Sequence, residues 1–379
     1  MTDSLLAPLL AQTSSDPLAK DAADYCQQYG ALNRQEAWRW LPLQSLQLSR
    51  KIADADYQYN LPEDWLVSCG REAFSGVLED KNAPFAALNI ALHDETLLLE
   101  IPEQTVCEDV MTIHIDALGH IWQFSRLEVV VGRGAKAALW LDFGVENNAA
   151  QVPLVQFSLL EAAELEAVVW LNAQDQSSTA QTVFLHSQQD HHSRLAINAA
   201  ITGGALARVD MHADLHGQSA QFSFGGVQSA ARQEIHDYHV QVRHLNEACS
   251  SEQIIRGVLN DQAQGFFDGL IFVQQDAQLT AGRQDSRYLL LSPQARAQSM
   301  PRLEIYADDV QCAHGATVGF LDAQALFYLQ TRGIDLATAR SLLMMSFVQE
   351  AVVLTQDALR GDFVQALQTI GSQGAEDEC

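Results

Sequence analysis

Ala207-Arg208-Val209-Asp210-Met211-His212-Ala213-Asp214-Leu215 alternates apolar and polar residues without a break. Successive side chains of an extended chain point to opposite faces, so the apolar set lies on one side and the charges and imidazole on the other. That is the pattern of a half-buried strand, and Arg126–Val131 repeats it. Working outward, short β runs continue in both directions between about Thr96 and Leu303. They are Thr96–Ile101, Met111–Ile115, Ile121–Val131, Ala137–Phe143, Leu165–Leu171, Thr182–Leu185, Leu195–Ile201, His236–Val242 and Gly269–Val273. Gly, Asn, Asp, Ser and Gln separate them, and no long amphipathic helix interrupts them, which argues against a βαβ sheet. A sandwich, a barrel or a solenoid remains. About 200 residues of evenly paced strands is long for one sandwich. At about 20–25 residues per coil the same run makes roughly nine rungs of a parallel β-helix, although no strict sequence repeat is visible.

Helical spacing flanks this region. Asp16 to Tyr29 runs up to Gly30, Asn33 to Trp40 stops before Pro42, and Pro84 to Leu92 carries Pro at its first position. Beyond the strands, Asp322 caps a helix through Gln330 that Gly333 ends. Asp335 caps another, with Leu336, Ala339, Leu343 and Phe347 on one stripe. Asp357 starts a last one, with Phe363 and Leu367 beyond Gly361. The expected organisation is a mostly helical domain over 1–94, a β core over 95–318, a helical domain over 319–371 and a disordered acidic tail over 372–379.

The 379 residues carry a formal net charge of −26 and only four lysines. Such a surface repels phosphate backbones and anionic lipid, so nucleic acid and membrane are poor partners. No stretch reaches the ~18 apolar residues of a membrane span. Met1 to Leu10 is Leu-rich but holds Asp3 and no basic residue, unlike a signal peptide. The six cysteines, Cys26, Cys69, Cys107, Cys249, Cys312 and Cys379, form no C-x-x-C pair and read as reduced thiols of a cytoplasmic protein.

There is no Gly-rich loop ending in Gly-Lys-Ser/Thr, so this chain is expected to bind no nucleotide. G-x-S-x-G and H-E-x-x-H are also missing. Histidines crowd the middle: His186, His191, His192, His212, His216, His236, His239 and His244. His212 and His216 would share a strand face, and His244 and Cys249 would meet across a turn; no pair sits at a known ligand spacing, so polar rungs of a solvated face are the plainer reading. Cys312-Ala313-His314 is sharper. In a strand Cys312 and His314 face one side, and Asp308-Asp309 lies just before them. A thiol and an imidazole beside carboxylates suit iron or part of a cluster, with other ligands from a partner. A small buried thiol beside a hydrogen-bonded imidazole is the alternative.

Ser286-Arg287-Tyr288-Leu289-Leu290-Leu291-Ser292, Pro301-Arg302-Leu303-Glu304-Ile305, Ala307 through Gly319, Leu326-Phe327-Tyr328-Leu329 and Arg332-Gly333-Ile334 follow one another in order. This run resembles the SufB/SufD family of iron–sulfur cluster assembly scaffolds. Gly265-Phe266-Phe267-Asp268-Gly269, Phe85-Ala86-Ala87-Leu88-Asn89 and Arg34-Gln35-Glu36-Ala37-Trp38-Arg39-Trp40 add to it. The match is dense over 255–350 and patchy but ordered elsewhere. SufB members are longer and carry His-Glu-Ala where this chain has His314-Gly315-Ala316, so the chain is nearer the SufD members.

The resemblance implies a mainly β fold: a right-handed parallel β-helix flanked by N-terminal and C-terminal helical domains. It implies a non-catalytic scaffold role, with SufB joined through the β-helix ends and the ATPase SufC held on the C-terminal helices. Phe327, Tyr328, Leu343 and Phe347 are the candidate SufC contacts. His314, assisted by Cys312, is the candidate ligand for iron or a transient Fe–S cluster at the SufB interface. A homodimer is the alternative assembly of the isolated chain. Two other readings are a β-helix polysaccharide lyase or hydrolase using Asp308-Asp309, and a structural SufD paralogue with an idle ligand pair.

Overall fold

A computed structural model describes residues 7–10, 12–13, 19–24, 51–53, 55–62, 65–70, 84–93, 95–146, 148–173 and 179–376. The expected helix over Asn33–Trp40 lies outside the described residues, as do Cys26 and Cys379. Helices α1 (Ala7–Leu10), α2 (residues 19–24) and α3 (Pro84–Leu92) belong to the N-terminal part, together with strands β1 (Ile52–Ala53), β2 (Tyr57–Asn60) and β3 (Leu66–Gly70). From Glu95 the chain winds between two sheets. One takes β4 (Glu95–Ile101), β6 (Trp122–Val131), β8 (Ala150–Leu159), β10 (Ala180–Gln189), β12 (Leu206–Leu215), β14 (Ile235–His244), β16 (Gln264–Val273) and β18 (Arg296–Ile305). The other takes β5 (Val106–Ala117), β7 (Lys136–Val145), β9 (Glu164–Ala173), β11 (Arg194–Thr202), β13 (Gln221–Ala230), β15 (Ser250–Leu259), β17 (Thr280–Leu290) and β19 (Val310–Gly319). The chain closes with α4 (Ala323–Thr331), α5 (Leu336–Gln349) and α6 (Asp357–Glu376).

Each strand pairs in parallel with the one two places on, which makes a β-solenoid of about 7 turns, flanked by helices as expected. The rungs are longer than the 20–25 residues expected from spacing. Ala180 pairs with Leu206, 26 residues on, and Gln264 with Arg296, 32 residues on. The turns explain why no repeat is visible. Where an even strand passes to the next odd one, Ala162, His192, Ser219, Ala248 and Leu279 all take φ of 57 to 60°. Left-handed backbone costs an L-residue about 1–2 kcal/mol, and glycine would mark it in sequence. Here stacking offsets the cost. The amide of each residue donates to a carbonyl of the next turn: Ala162 to His191 at 2.8 Å, His192 to Gln218 at 2.9 Å, Ser219 to Glu247 at 3.1 Å, Ala248 to Gln278 at 2.8 Å and Leu279 to Asp309 at 2.7 Å.

The main core fills the space between the sheets and holds the apolar face of β12, with Val209 and Met211 fully buried. A polar seam borders it. Gln181 donates to Gln151 at 3.1 Å and Gln151 to Gln123 at 2.9 Å, each one rung apart. On the outer face of the first sheet, α1 to α3 cover Trp122, Phe124, Leu154 and Phe184. Asn89 anchors α3 there by donating to the carbonyls of Ser125 and Val152 at 2.9 and 2.6 Å. Among the described residues of 1–94, short strands stand beside the helices. β2 and β3 run antiparallel to β5 and β4 and β1 joins β6 in parallel, so they cap the first turn of the solenoid. Runs this short carry too few alternations to stand out in sequence.

At the far end the caps are as expected. Asp322 accepts from the Gln324 amide and Asp335 from that of Thr338. The helices then fold back on the outer face of the second sheet. Met344, Val348, Leu354, Leu359, Phe363 and Leu367 bury against Ala138, Val168, Trp170 and Val227. Trp140 and Trp170 stack at 5.8 Å, and Phe363 meets both edge-on. The buried stripe of α5 is Ala339, Met344 and Val348; Leu336 is exposed. α6 continues to Glu376, so the region expected as a tail from Ser372 begins as helix.

Candidate functional site

Residues on one face of a strand repeat every second position, and in-register parallel strands stack them in columns. In β17 the inward residues Gly282, Gln284, Ser286 and Tyr288 are buried, while Ala281, Arg283 and Arg287 face out. β19 pairs with β17 in register: Gly282 with Cys312, Gln284 with His314 and Tyr288 with Val318. Cys312 and His314 therefore sit on the same, inward face at the last rung. Among the described residues nothing in the sheet order lies beyond β19 or β18, so both present an unpaired backbone edge. His314 is consequently exposed although its column is buried one rung deeper.

Cys312 is half-buried among Ile271, Val273 and Ala277. That burial pushes its thiol up from the ordinary value, with the Gly282 backbone pulling the other way. A Cβ at Gly282 would stand 3.3 Å from the Cys312 sulfur. Glycine there leaves the thiol room to point inward.

Asp308 and Asp309 belong to the turn before β19. The Asp309 amide donates to Gln278 at 2.9 Å and its carbonyl accepts from Leu279. Among the described residues, one group of three metal-capable side chains converges: Asp210, His212 and His239. Cys312 and His314 are not in it.

The Asp210 group is a salt-bridge network on the outer face of the first sheet. Arg208, fully buried, donates to both oxygens of Asp210 at 2.8 and 2.7 Å and to Asp237 at 2.7 Å. His239 bonds Asp210 at 2.8 Å. The guanidinium and imidazole hold the Asp210 carboxyl well below the usual range against the opposing effect of burial. A cation would sit against that guanidinium, which disfavours it.

The other histidines make local bonds. His186 faces Asp214 at 3.4 Å, His191 accepts from the Gln218 amide at 2.9 Å and His236 donates to the Gly203 carbonyl at 3.0 Å. His212 and His216 do not form a pair of ligands: His216 lies beyond the strand end, 4.0 Å from Asp214. His244 bonds Ser251 at 2.8 Å, while the Cys249 thiol donates to the Gly217 carbonyl at 3.2 Å.

Next to the open end, Phe320, Phe327 and Tyr328 are 69%, 68% and 56% exposed, and Leu336 and Leu342 are exposed beside them. Leu343 is half-buried. Phe347 is also half-buried, with the Arg256 guanidinium 5.7 Å over its ring. Leu342 escapes a reading of the sequence because burial, not apolar character, decides which side of a helix is free; Phe320 lies in the link between β19 and α4.

The family model for the SufBD core domain of SUF-system FeS cluster assembly matches residues 114–347. The chain belongs to the SufBD family. The iron–sulfur cluster assembly protein SufD of Escherichia coli K12 is 28% identical over 73% of this chain and 63% of its own length. A SufBD family protein of Synechocystis is 28% identical over 73% of this chain and 64% of its own length. The chloroplastic protein ABCI7 of Arabidopsis thaliana is 33% identical over 50% of this chain and 42% of its own length. The chain thus spans under two thirds of the length of these relatives. The SufBD match covers the strand pairs from β5 to β19 and the first two C-terminal helices, so it includes both Cys312 and His314. Membership leaves the polysaccharide lyase reading without support. No helix among the described residues is long and apolar enough to cross a membrane.

Proposed function

We propose that this SufBD family chain is a SufD-like, non-catalytic scaffold subunit for iron–sulfur cluster assembly in the cytoplasm. The observation that carries the reading is the last rung of the solenoid. There Cys312 and His314 share one face beneath an unpaired strand edge. An unpaired edge is a template for another chain's strand. Its occupant is SufB, added end to end, and SufB supplies the remaining ligands. Iron or the nascent cluster is the cargo of that joint. A neutral imidazole binds iron near pH 7, because its ordinary pKa is about 6.5. The Cys312 thiol, pushed up by burial, must first release its proton to solvent as the metal binds. His314 is therefore the principal ligand and Cys312 the assistant. Splitting the ligands between subunits lets a movement at the joint release what was built there.

SufC docks on the exposed apolar side of α4 and α5, with Phe327 and Tyr328 as anchors and Leu343 and Phe347 at the margin. The chain borrows ATP hydrolysis from it and binds no nucleotide of its own.

The test is complementation of cells lacking their own SufD. His314→Ala should leave expression and SufB pairing intact and abolish cluster assembly, read from cluster-dependent enzymes. Full rescue by His314→Ala would falsify the ligand role.

A further inference from the structure

The interior of the solenoid changes character toward the open end. In β11 the inward residues are Leu195, Ile197, Ala199 and Ile201. Two rungs further, in β15, they include Ser251 and Gln253, and in β17 Thr280, Gln284 and Ser286, all buried. Burying such side chains costs free energy unless each finds a partner.

Gln253, Gln284 and His314 form one column, each in register with the next. The Gln284 amide nitrogen donates inward to the Gln253 oxygen at 3.2 Å. The Gln284 oxygen is buried and has no partner. An orphaned buried acceptor costs about 1–3 kcal/mol. The next member of the column, on the outward side, is His314. As placed, the two are not hydrogen-bonded, but an exposed imidazole on an end strand turns between rotamers at little cost.

We propose that Gln284 is a positioning residue for His314. Its side-chain oxygen accepts the N–H of one imidazole nitrogen and leaves the other nitrogen, with its lone pair, turned out of the open end. A metal-ligating histidine is commonly held this way by a carbonyl or carboxylate on its second nitrogen, and loss of that partner costs about 10–100-fold in affinity or activity. The contribution to assembly rests on the proposed role of His314; the hydrogen bond itself does not.

The experiment uses the full chain with 15N-labelled histidine, with the His314 signals assigned by their loss in His314→Ala. Above the usual imidazole value, at about pH 8, the two ring-nitrogen shifts report the tautomer. Wild type should show one tautomer, and Gln284→Met, which keeps the length and removes the acceptor, should return a mixture. Gln284→Glu keeps an acceptor oxygen and should keep the single tautomer. In complementation, Gln284→Met should lower assembly by about 10-fold or more and Gln284→Glu should restore most of it. Identical His314 shifts in wild type and Gln284→Met overturn the inference. If the shifts respond as expected but His314→Ala still assembles clusters, the hydrogen bond stands and the ligand reading fails.

Discussion

Asn198, on the outer face of β11, donates to the carbonyl of Ala351 at 2.7 Å, and its oxygen accepts the Val353 amide at 2.9 Å. One buried amide thus holds the first half of the linker between α5 and α6 against the second sheet. Glu166 fixes the next residues, accepting the amides of Thr355 and Gln356 at 2.8 and 2.9 Å. Gly225 permits the approach: a Cβ there would lie 1.9 Å from the Ala351 oxygen.

Asn198→Ala leaves an amide and a carbonyl without partners at a buried contact. It should cost about 1–3 kcal/mol in denaturant unfolding, and hydrogen exchange should quicken over residues 350–356. Gly225→Ala should do the same by steric means. Unchanged exchange in both variants would mean that other contacts hold the linker.

The C-terminal helices are not a removable appendage. Deleting residues 320–379 would uncover Trp140, Trp170, Val168 and Val227, all packed against α5 and α6, and at about 25 cal/mol per Å² this exposure is costly. Point changes separate binding from folding. Phe327→Ala and Tyr328→Ala lie on exposed positions and should leave the Tm within a degree or two. Each should weaken SufC binding by about 2 kcal/mol or more, if they anchor the contact as large aromatics do. SufC binding measured by calorimetry at wild-type strength would place the docking surface elsewhere.

Burial holds the Cys312 thiol above its ordinary value, so it stays protonated at neutral pH. Alkylation of Cys312, followed by peptide mass spectrometry, should be slow near neutrality and accelerate only above the free-thiol value of about 8.5. Rapid labelling at neutral pH would mean a thiolate is already present, and Cys312 would then rival His314 as the principal ligand.

Glu234 is buried at the turn before β14, and burial raises its pKa from 4.5 to about 7 against the stabilising Ala231 amide. Its folded value lies above its unfolded value. The stability it contributes is therefore fully present below 4.5 and lost as pH rises through 7. Nearby His236 works in the opposite sense. Burial lowers it from 6.5 to about 4, so its contribution is present above 6.5 and lost as pH falls through 4. Glu234→Gln isolates the first effect. It should stabilise the protein at about pH 8 by on the order of 2–3 kcal/mol, since each tenfold change in proton affinity is worth about 1.4 kcal/mol. The advantage should fade by about pH 5. A pH-independent difference in unfolding free energy between the two proteins would contradict the assignment.

Much of this molecule is legible in short stretches of sequence. The alternation of Ala207–Leu215 names both faces of β12, and Asp322 and Asp335 announce two helices by the caps they form. Cys312 and His314 fall two apart, so any strand puts them on one side. These are properties of a few adjacent residues, set by the periods of strand and helix. The 26- to 32-residue rung is not legible, because stacked left-handed turns such as Ala162 and Ser219 replace the glycines that would mark it. The backbone bonds that hold those turns join residues one full rung apart. Nor could composition tell that Met344 rather than Leu343 faces the sheet, or that α6 lies over Trp140 and Trp170. The exposure of His314 has the same origin. Its column is buried at Gln284 and open one rung later because no strand pairs beyond β19 among the described residues, and chain order in the sheet is decided by long-range pairing.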